Sequence, residues 1–177
     1  MRETTPNRYH PAHVVLHWLI ALLVFMMLGI GKILMPGITP DDPQKPMMLQ
    51  THTYIGGAIA VLLIIRLVLR FTAKRPAPAD AGNAFLNFLS KAVHFLLYLF
   101  LIGMVVSGLG LFQMANLTAV FSGAQPYPQN FFDYLPRMGH GLTSWILLVL
   151  VLLHFGAAMY HQIIRKDNLL ARMWFGR

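Results

Sequence analysis

Four long apolar runs, separated by short polar segments, dominate the chain. Each run approaches the ~20 consecutive apolar residues that a helix needs to cross a bilayer. The pattern predicts four membrane-spanning helices, at about residues 12–35, 51–71, 86–114 and 139–163. The segments between them are rich in Pro, Gly, Asn and Asp, as connectors are. We therefore expect a single integral-membrane domain over residues 1–177, an all-α transmembrane four-helix bundle.

The first apolar run follows Arg2 and Arg8 and so superficially resembles a secretory signal peptide. Its stretch AHVVLHWLIALLVFMMLGIGKILM is longer than the apolar region of a signal peptide. No cleavage site of the A-x-A type follows it. We therefore expect this run to be retained as the first span.

Composition agrees with a membrane protein and limits the chemistry it can carry. Hydrophobic residues make up 56% of the chain and charged residues 11%, and the mean hydropathy is +0.58. The absence of cysteine excludes disulfides, thiolate-bound iron–sulfur clusters and the C-x-x-C-H attachment of a c-type haem. A redox centre would need other ligands, and the eight histidines can supply them.

The net charge of +8 is not the signature of a nucleic-acid-binding protein, because the basic residues lie at the ends of apolar runs. Most of the lysines and arginines are at the N-terminus, around the second connector and at the C-terminus. The exceptions are Lys32, Lys45 and Arg137. The positive-inside rule then predicts cytoplasmic termini and an outward-facing, aromatic-rich third connector.

Histidines recur at matching depths of the predicted spans. An imidazole in hydrocarbon is costly, so each such histidine suggests a functional site. His140 and His154 are fourteen residues apart on the fourth span, a rise of about 21 Å with an angular offset of roughly 40°. Because successive spans run in opposite directions, His17 is level with His154 near the inner surface. His52 is level with His140 near the outer surface.

Two facing pairs of neutral imidazoles, without cysteine or carboxylate, suit b-type haems held by two histidines each. Zinc would require more ligands at each level. Two haems stacked across the membrane would form an electron path between its surfaces. Small residues beside the ligands would let a flat macrocycle approach the backbone; these are Gly56, Gly57, Gly139, Gly141 and Gly156.

His94, on the third span, lies near the inner level. It offers a replacement for His17 or His154 as a ligand, or a hydrogen-bond donor to a haem propionate or a quinone. Because the two pairs are already complete, we favour a role other than iron ligation for His94.

The remaining histidines lie near the inner surface. His161 is seven residues after His154 and faces the same side at the depth of a quinone head group; bonding to water or lipid is the alternative. His10 and His13 are expected outside the hydrocarbon and solvated.

Several motifs together resemble the bacterial cytochrome b561 family, whose module also occurs as the haem-b subunit of nickel–iron hydrogenases and formate dehydrogenases. They are LHW in the first span, H-x-x-x-G-G in the second, A-x-H-x-x-L-Y-L in the third, H-x13-H in the fourth and the closing YHQIIRKDNLLARM. The resemblance extends from about Arg8 to Met173. It implies a bundle in the bacterial inner membrane with two haems b, ligated by His17 with His154 and by His52 with His140.

Some stand-alone members of that family are similar to superoxide:ubiquinone oxidoreductases, which implies a superoxide donor and a ubiquinone acceptor. Basic residues on the outer side could attract such an anion; they are Lys32, Lys45 and Arg137. Acidic residues on the same side offset them, and ordinary loop charge is the alternative interpretation; these are Asp41, Asp42 and Asp133.

The expected function is that of a di-haem oxidoreductase passing electrons between a periplasmic donor and the quinone pool. We expect the quinone near His161, with His13 or Arg165 beside it. One alternative is a haem-b subunit docked to a hydrogenase or dehydrogenase, although the short chain favours a stand-alone protein. Another is a non-redox anchor or transporter. All six acidic residues lie outside the spans, which excludes a carboxylate proton relay.

Overall fold

The computed structural model describes residues 8–37, 39 and 42–174, and no strand occurs among them. Four long helices and one short helix make up most of this part of the chain. They are α1 (Pro11–Gly29), α2 (Lys45–Thr72), α3 (Ala84–Met114), α4 (Leu117–Phe121) and α5 (Pro136–Met159). The long helices form the bundle, and α4 lies in the third connector.

Two of the long helices continue past their regular ends. α1 is extended by a π-helical turn at Ile30–Leu34 and a 3₁₀ turn at Met35–Gly37, and α5 is extended by a π-helical turn at Tyr160–Arg165. With these extensions the four helical segments have 27 to 31 residues and are long and apolar enough to cross a membrane. The prediction of four spans and an all-α bundle is confirmed.

The helix boundaries differ from the predicted ones at two starts. α2 begins at Lys45 and α5 at Pro136, each earlier than the apolar pattern indicates. Pro46 and Pro136 lie in the first turn, where a missing N–H removes no helical hydrogen bond. These first turns, each with a proline and a basic residue, extend both helices beyond their predicted starts.

The centre of the bundle is apolar. α3 packs along α5, α1 along α2, and α2 also contacts α3. The buried cluster between them consists of Ile20, Val24, Leu28, Ile59 and Leu147. Large apolar side chains also cover the outside of the bundle, as Phe71, Phe88 and Val106 do. Such a surface is suited to lipid rather than to water.

The third connector forms a folded cover over one end of the bundle, which we call the aromatic cap. Leu49, Ala115 and Leu117 are buried there. Aromatic rings pack against them from the connector and from α3; these are Phe112, Phe121, Tyr127, Phe131 and Tyr134. This end is called the cap end below.

The chain after α5 folds back across the opposite end as a strap, residues 166–174. The indole Nε1 of Trp18 donates to the carbonyl oxygen of Met173 at 2.7 Å, and the amide of Tyr9 donates to the carbonyl oxygen of Arg172 at 3.2 Å. The Arg172 guanidinium donates to the carbonyl oxygen of Ala77 in the second connector. These bonds link the strap to the start of the described chain and to the second connector. We call this end of the bundle the strap end.

Candidate functional site

The fold brings the four predicted ligand histidines together in the two expected pairs. At the strap end the rings of His17 on α1 and His154 on α5 have centroids 6.1 Å apart, with an interplanar angle of 79°. At the cap end the rings of His52 on α2 and His140 on α5 have centroids 6.1 Å apart, at 65°. The pairing deduced from helix direction and residue number therefore matches the tertiary structure.

The spacing within each pair fits one metal ion between two imidazoles. A metal–imidazole bond is about 2.0 Å, and a ring nitrogen lies about 1.1 Å from its ring centroid. If both imidazoles of a pair bound one metal ion, their centroids would be about 6.2 Å apart, and the observed separation is 6.1 Å in both pairs. The two histidines of each pair would then hold the iron of a haem, and the macrocycle would supply its other ligands.

Ser107 defines the hydrogen-bonding state of His140. Its Oγ donates to the carbonyl oxygen of Gly103, at 2.7 Å, and lies 2.9 Å from Nδ1 of His140. A hydroxyl has one proton, so once it donates to the carbonyl it accepts from Nδ1–H. Nε2 of His140 then keeps its lone pair, as iron ligation through that atom requires.

At the strap end, Arg66 lies beside His17 as Ser107 lies beside His140 at the cap end. Its Nε donates to the Tyr98 hydroxyl oxygen at 3.0 Å and its Nη1 to the carbonyl oxygen of His13 at 3.0 Å. Its Nη2 lies 3.3 Å from Nδ1 of His17. One side chain from α2 thus contacts α1 and α3 beside a predicted ligand. From the sequence alone, Arg66 is recognised only as one of the basic residues that set the orientation of the protein in the membrane.

The other two predicted ligand histidines make no hydrogen bond through a ring nitrogen within the described ranges. Nδ1 of His52 is buried without a hydrogen-bond partner there, and the His154 side chain forms ring contacts. A buried polar atom without a partner is costly. A purely structural role is therefore a poor explanation for His52.

Two glycines on other helices, Gly31 and Gly108, approach the cap-end pair. A Cβ on Gly108 would lie 3.5 Å from Cε1 of His140, and one on Gly31 would lie 3.9 Å from Cε1 of His52. A Cβ on Gly57, Gly139 or Gly156 would meet nothing within 4 Å. Gly31 and Gly108 lie on α1's extension and on α3, so their proximity to the rings arises only from packing.

His94 contacts the strap-end pair. Its ring centroid is 5.0 Å from that of His154. Its Nδ1 is 2.6 Å from the carbonyl oxygen of Ser90, one turn earlier on α3. The backbone bond holds the proton on Nδ1 and leaves Nε2 of His94 with its lone pair.

His161 is buried and paired with an acidic residue of the strap. Its Nδ1 lies 2.5 Å from Oδ2 of Asp167, and Nε of Arg165 lies 3.6 Å from the same oxygen. The hydrogen bond from His161 is the main reason why the pKa of the Asp167 carboxyl is lowered. The carboxylate therefore stays ionised and orients the imidazole, a partnership that the sequence did not reveal.

The prediction that His13 is solvated is wrong. Only 5% of its surface is exposed, and its Nε2 is buried without a hydrogen-bond partner. The reason is that α1 begins at Pro11, with His10 as its exposed N-cap, so His13 already belongs to the helix and faces inward. Neither a hydrogen bond nor a ring contact joins His13 to His161 in the part of the chain that is described.

All three cations of the cap end lie over aromatic rings. The Lys32 ammonium is 3.8 Å from the Trp145 ring centroid, the Arg137 guanidinium carbon is 4.7 Å from that of Phe132, and the Lys45 ammonium is 5.7 Å from that of Tyr127. Burial raises the pKa of Tyr127 to about 12, so this phenol stays neutral. Lys32 and Arg137 also act electrostatically on His140.

A four-helix membrane bundle with one facing histidine pair towards each end places this chain in the class of haem-binding membrane proteins. Comparison with known proteins specifies the family. The model of prokaryotic cytochrome b561 matches residues 8–176. The chain belongs to the prokaryotic cytochrome b561 family, whose members are membrane haem proteins that bind haem b.

Individual relatives match over nearly their whole length. The chain is 27% identical to cytochrome b561 homolog 2 of Escherichia coli, over 96% of this chain and 92% of that protein. It is 26% identical to the probable superoxide oxidase CybB of Yersinia pestis, over 94% and 96%. It is 26% identical to cytochrome b562 of Cereibacter sphaeroides, over 93% and 94%. Family and spans together identify a multi-pass protein of the bacterial inner membrane with a role in electron transfer.

Proposed function

We propose that the protein is a di-haem b oxidoreductase that carries electrons from a periplasmic donor to the quinone pool. His17 and His154 would hold one haem at the strap end, and His52 and His140 a second haem at the cap end. The observation that carries this proposal is the common 6.1 Å ring spacing of the two pairs. Haem iron supplies one-electron redox chemistry when bound.

The charge distribution supports an orientation with the strap end in the cytoplasm. Eleven of the fourteen Lys and Arg residues lie at the N-terminus, around the second connector and at the C-terminus, whereas the cap end has three. The cap end would then face the periplasm. Between the pairs, the apolar cluster around Leu147 excludes water, which favours electron transfer over side reactions in this region.

Superoxide is the donor that we propose, because the family relative from Yersinia pestis is named a probable superoxide oxidase. Superoxide gives up one electron and becomes dioxygen, so two superoxide ions supply the two electrons that, with two protons, convert one quinone to quinol. Lys32 and Arg137 would attract the anion towards the cap-end pair, since a local positive potential raises encounter rates.

We place the quinone at the strap end, beside His161. The Asp167 carboxylate accepts the Nδ1 proton of His161 in a hydrogen bond, which leaves Nε2 to bond with a quinone oxygen. Arg165 reinforces the pair by its contact with Asp167. His13 is the second candidate, because its buried Nε2 has no partner.

Haem content tests the central claim. The detergent-purified protein is expected to show two low-spin haems b per chain in oxidised and dithionite-reduced spectra and in a pyridine haemochrome assay. His17→Ala and His52→Ala should each retain one haem, whereas the control His94→Ala should retain two. No haem in the wild-type protein, or loss of a haem in the control, would contradict the assignment.

Donor and acceptor need separate assays. An enzymatic superoxide source should reduce the protein's haem absorbance and, with ubiquinone added, should drive quinol formation. His161→Ala is expected to slow quinol formation and to leave reduction by superoxide intact. Unchanged quinone kinetics in this variant would refute the quinone site. Co-purification of a hydrogenase or dehydrogenase polypeptide after mild solubilisation would favour the subunit alternative.

A further inference from the structure

Arg66 is a cation placed inside a membrane span beside one histidine pair. It lies on α2, within the span Lys45–Thr72. Its hydrogen bonds to the Tyr98 hydroxyl and the His13 carbonyl, both of 3.0 Å, attach it to α3 and α1. Charged groups at such positions are costly and are kept for a function. A role in setting the orientation of the protein in the membrane would not require these hydrogen bonds.

Among the described residues Arg66 has no carboxylate partner to neutralise it. The salt bridges to a carboxylate in these ranges involve Asp167, and none involves Arg66. Both hydrogen-bond acceptors of its Nε and Nη1 are neutral oxygens. The positive charge of the guanidinium is therefore not offset by an anion within the described residues.

That charge acts on both ligands of the strap-end pair. Nη2 of Arg66 is 3.3 Å from Nδ1 of His17, and Arg66 also interacts electrostatically with His154. When iron is bound through Nε2, Nδ1 of His17 carries a proton and cannot accept a bond from Arg66. The guanidinium is nevertheless held, because its bonds to Tyr98 and His13 do not depend on His17.

The cap-end pair has a different environment. Nδ1 of His140 faces the neutral hydroxyl of Ser107 at 2.9 Å. Two cations of this end, Lys32 and Arg137, lie over the rings of Trp145 and Phe132. They act on His140, and among the described residues no cation acts appreciably on His52. A contacting, unneutralised cation is therefore found only at the strap-end pair, within the part of the chain described.

We propose that Arg66 sets the direction of electron flow by raising the midpoint potential of the strap-end haem above that of the cap-end haem. This inference rests on the proposed di-haem function. A nearby positive charge favours the reduced state, because reduction lowers the positive charge of the iron centre by one. The electron lost by the cap-end haem is the electron gained at the strap end, and no other reactant is required.

The effect should be large enough to measure. A single imidazole ring separates the guanidinium from the iron position. At the effective dielectric constant of about 20 that suits protein sites, a unit charge at that separation changes the equilibrium by at least about tenfold. For a one-electron couple this corresponds to about 59 mV. Arg66→Gln keeps hydrogen-bond donors and removes the charge.

The test is a spectroelectrochemical titration in a His52→Ala background, in which only the strap-end haem remains. Arg66→Gln is expected to lower its midpoint potential by at least about 59 mV, a tenfold shift, whereas Arg66→Lys should stay within about threefold of the parent. Arg70→Gln is the matched control: its guanidinium carbon lies 5.0 Å from the Tyr98 ring centroid, one turn from Arg66, and it should leave the potential unchanged.

The outcomes are distinguishable. One haem with an unshifted potential in Arg66→Gln, or an equal shift in Arg70→Gln, overturns the role of Arg66 and leaves the di-haem proposal intact. A background variant that still binds two haems, or none, overturns the di-haem proposal itself. If Arg66→Gln fails to retain haem, Arg66→Lys decides: a tenfold shift with the charge retained refutes the electrostatic explanation.

Discussion

Removal of the Ser107 hydroxyl tests how the bundle prepares a histidine for iron. The hydroxyl donates to the Gly103 carbonyl and accepts from Nδ1 of His140, at 2.7 and 2.9 Å. Ser107→Ala deletes both bonds and leaves the His140 ring held less firmly, with the backbone of Met104 as its remaining hydrogen-bond partner. The cap-end pair would then be less well prepared to bind haem.

The size of the effect follows from the two hydrogen bonds that Ser107→Ala removes. A hydrogen bond contributes about 1 kcal/mol net, or roughly fivefold in an equilibrium constant. Loss of a partner that orients a metal ligand weakens metal binding by about 10- to 100-fold. We therefore expect the cap-end haem to dissociate about tenfold faster in Ser107→Ala, with the strap-end haem unaffected.

Haem transfer to an excess of apomyoglobin, followed by visible absorbance, measures the two dissociation rates. Ser144→Ala is the matched control, because Ser144 on α5 makes the same bond to a carbonyl one turn earlier, to Gly141 at 2.7 Å, and makes no hydrogen bond to a histidine among the described residues. Ser107→Thr keeps the hydroxyl and should restore slow dissociation. Equal rates in Ser107→Ala and Ser144→Ala would refute the reasoning.

Three further predictions concern the two ends of the bundle. Asp167→Asn should lower the thermal unfolding temperature at pH 7. Because folding lowers the pKa of Asp167 from 3.8, the carboxylate's contribution to stability is complete above that value and is lost as the pH falls through the folded-state pKa. The difference in unfolding temperature between the variant and the parent should therefore shrink at pH 3. Lys32→Gln with Arg137→Gln should slow reduction by superoxide several-fold and weaken its dependence on ionic strength; an unchanged salt dependence would exclude steering by these cations. Trp18→Phe removes the bond to the Met173 carbonyl, worth about 1 kcal/mol, and should speed amide hydrogen exchange in the strap, whereas unchanged exchange would show that the other strap contacts suffice.

Much of the architecture can be predicted from the sequence, because the bilayer restricts which backbone structures can cross it. A run of ~20 apolar residues in hydrocarbon must satisfy its backbone as a helix, and helices that alternate in direction match depths by residue number alone. This is why the pairs His17–His154 and His52–His140 could be predicted without coordinates. The helix starts at Lys45 and Pro136 were missed because each first turn combines a proline with a basic residue and therefore resembles the end of a connector.

The surroundings of the ligands were decided only by the tertiary structure. Arg66 appears in sequence as one basic residue among several at a span end, and Ser107 as a small residue in an apolar run. Their roles depend on which faces of α1, α2, α3 and α5 meet, and apolar periodicity on helices exposed to lipid does not specify that. The inward orientation of His13 and the pairing of His161 with Asp167 likewise depend on where α1 begins and on how the strap folds back. Depth is a property of one helix and can be counted along the chain, whereas a hydrogen bond between helices depends on their relative rotation and requires the packed bundle.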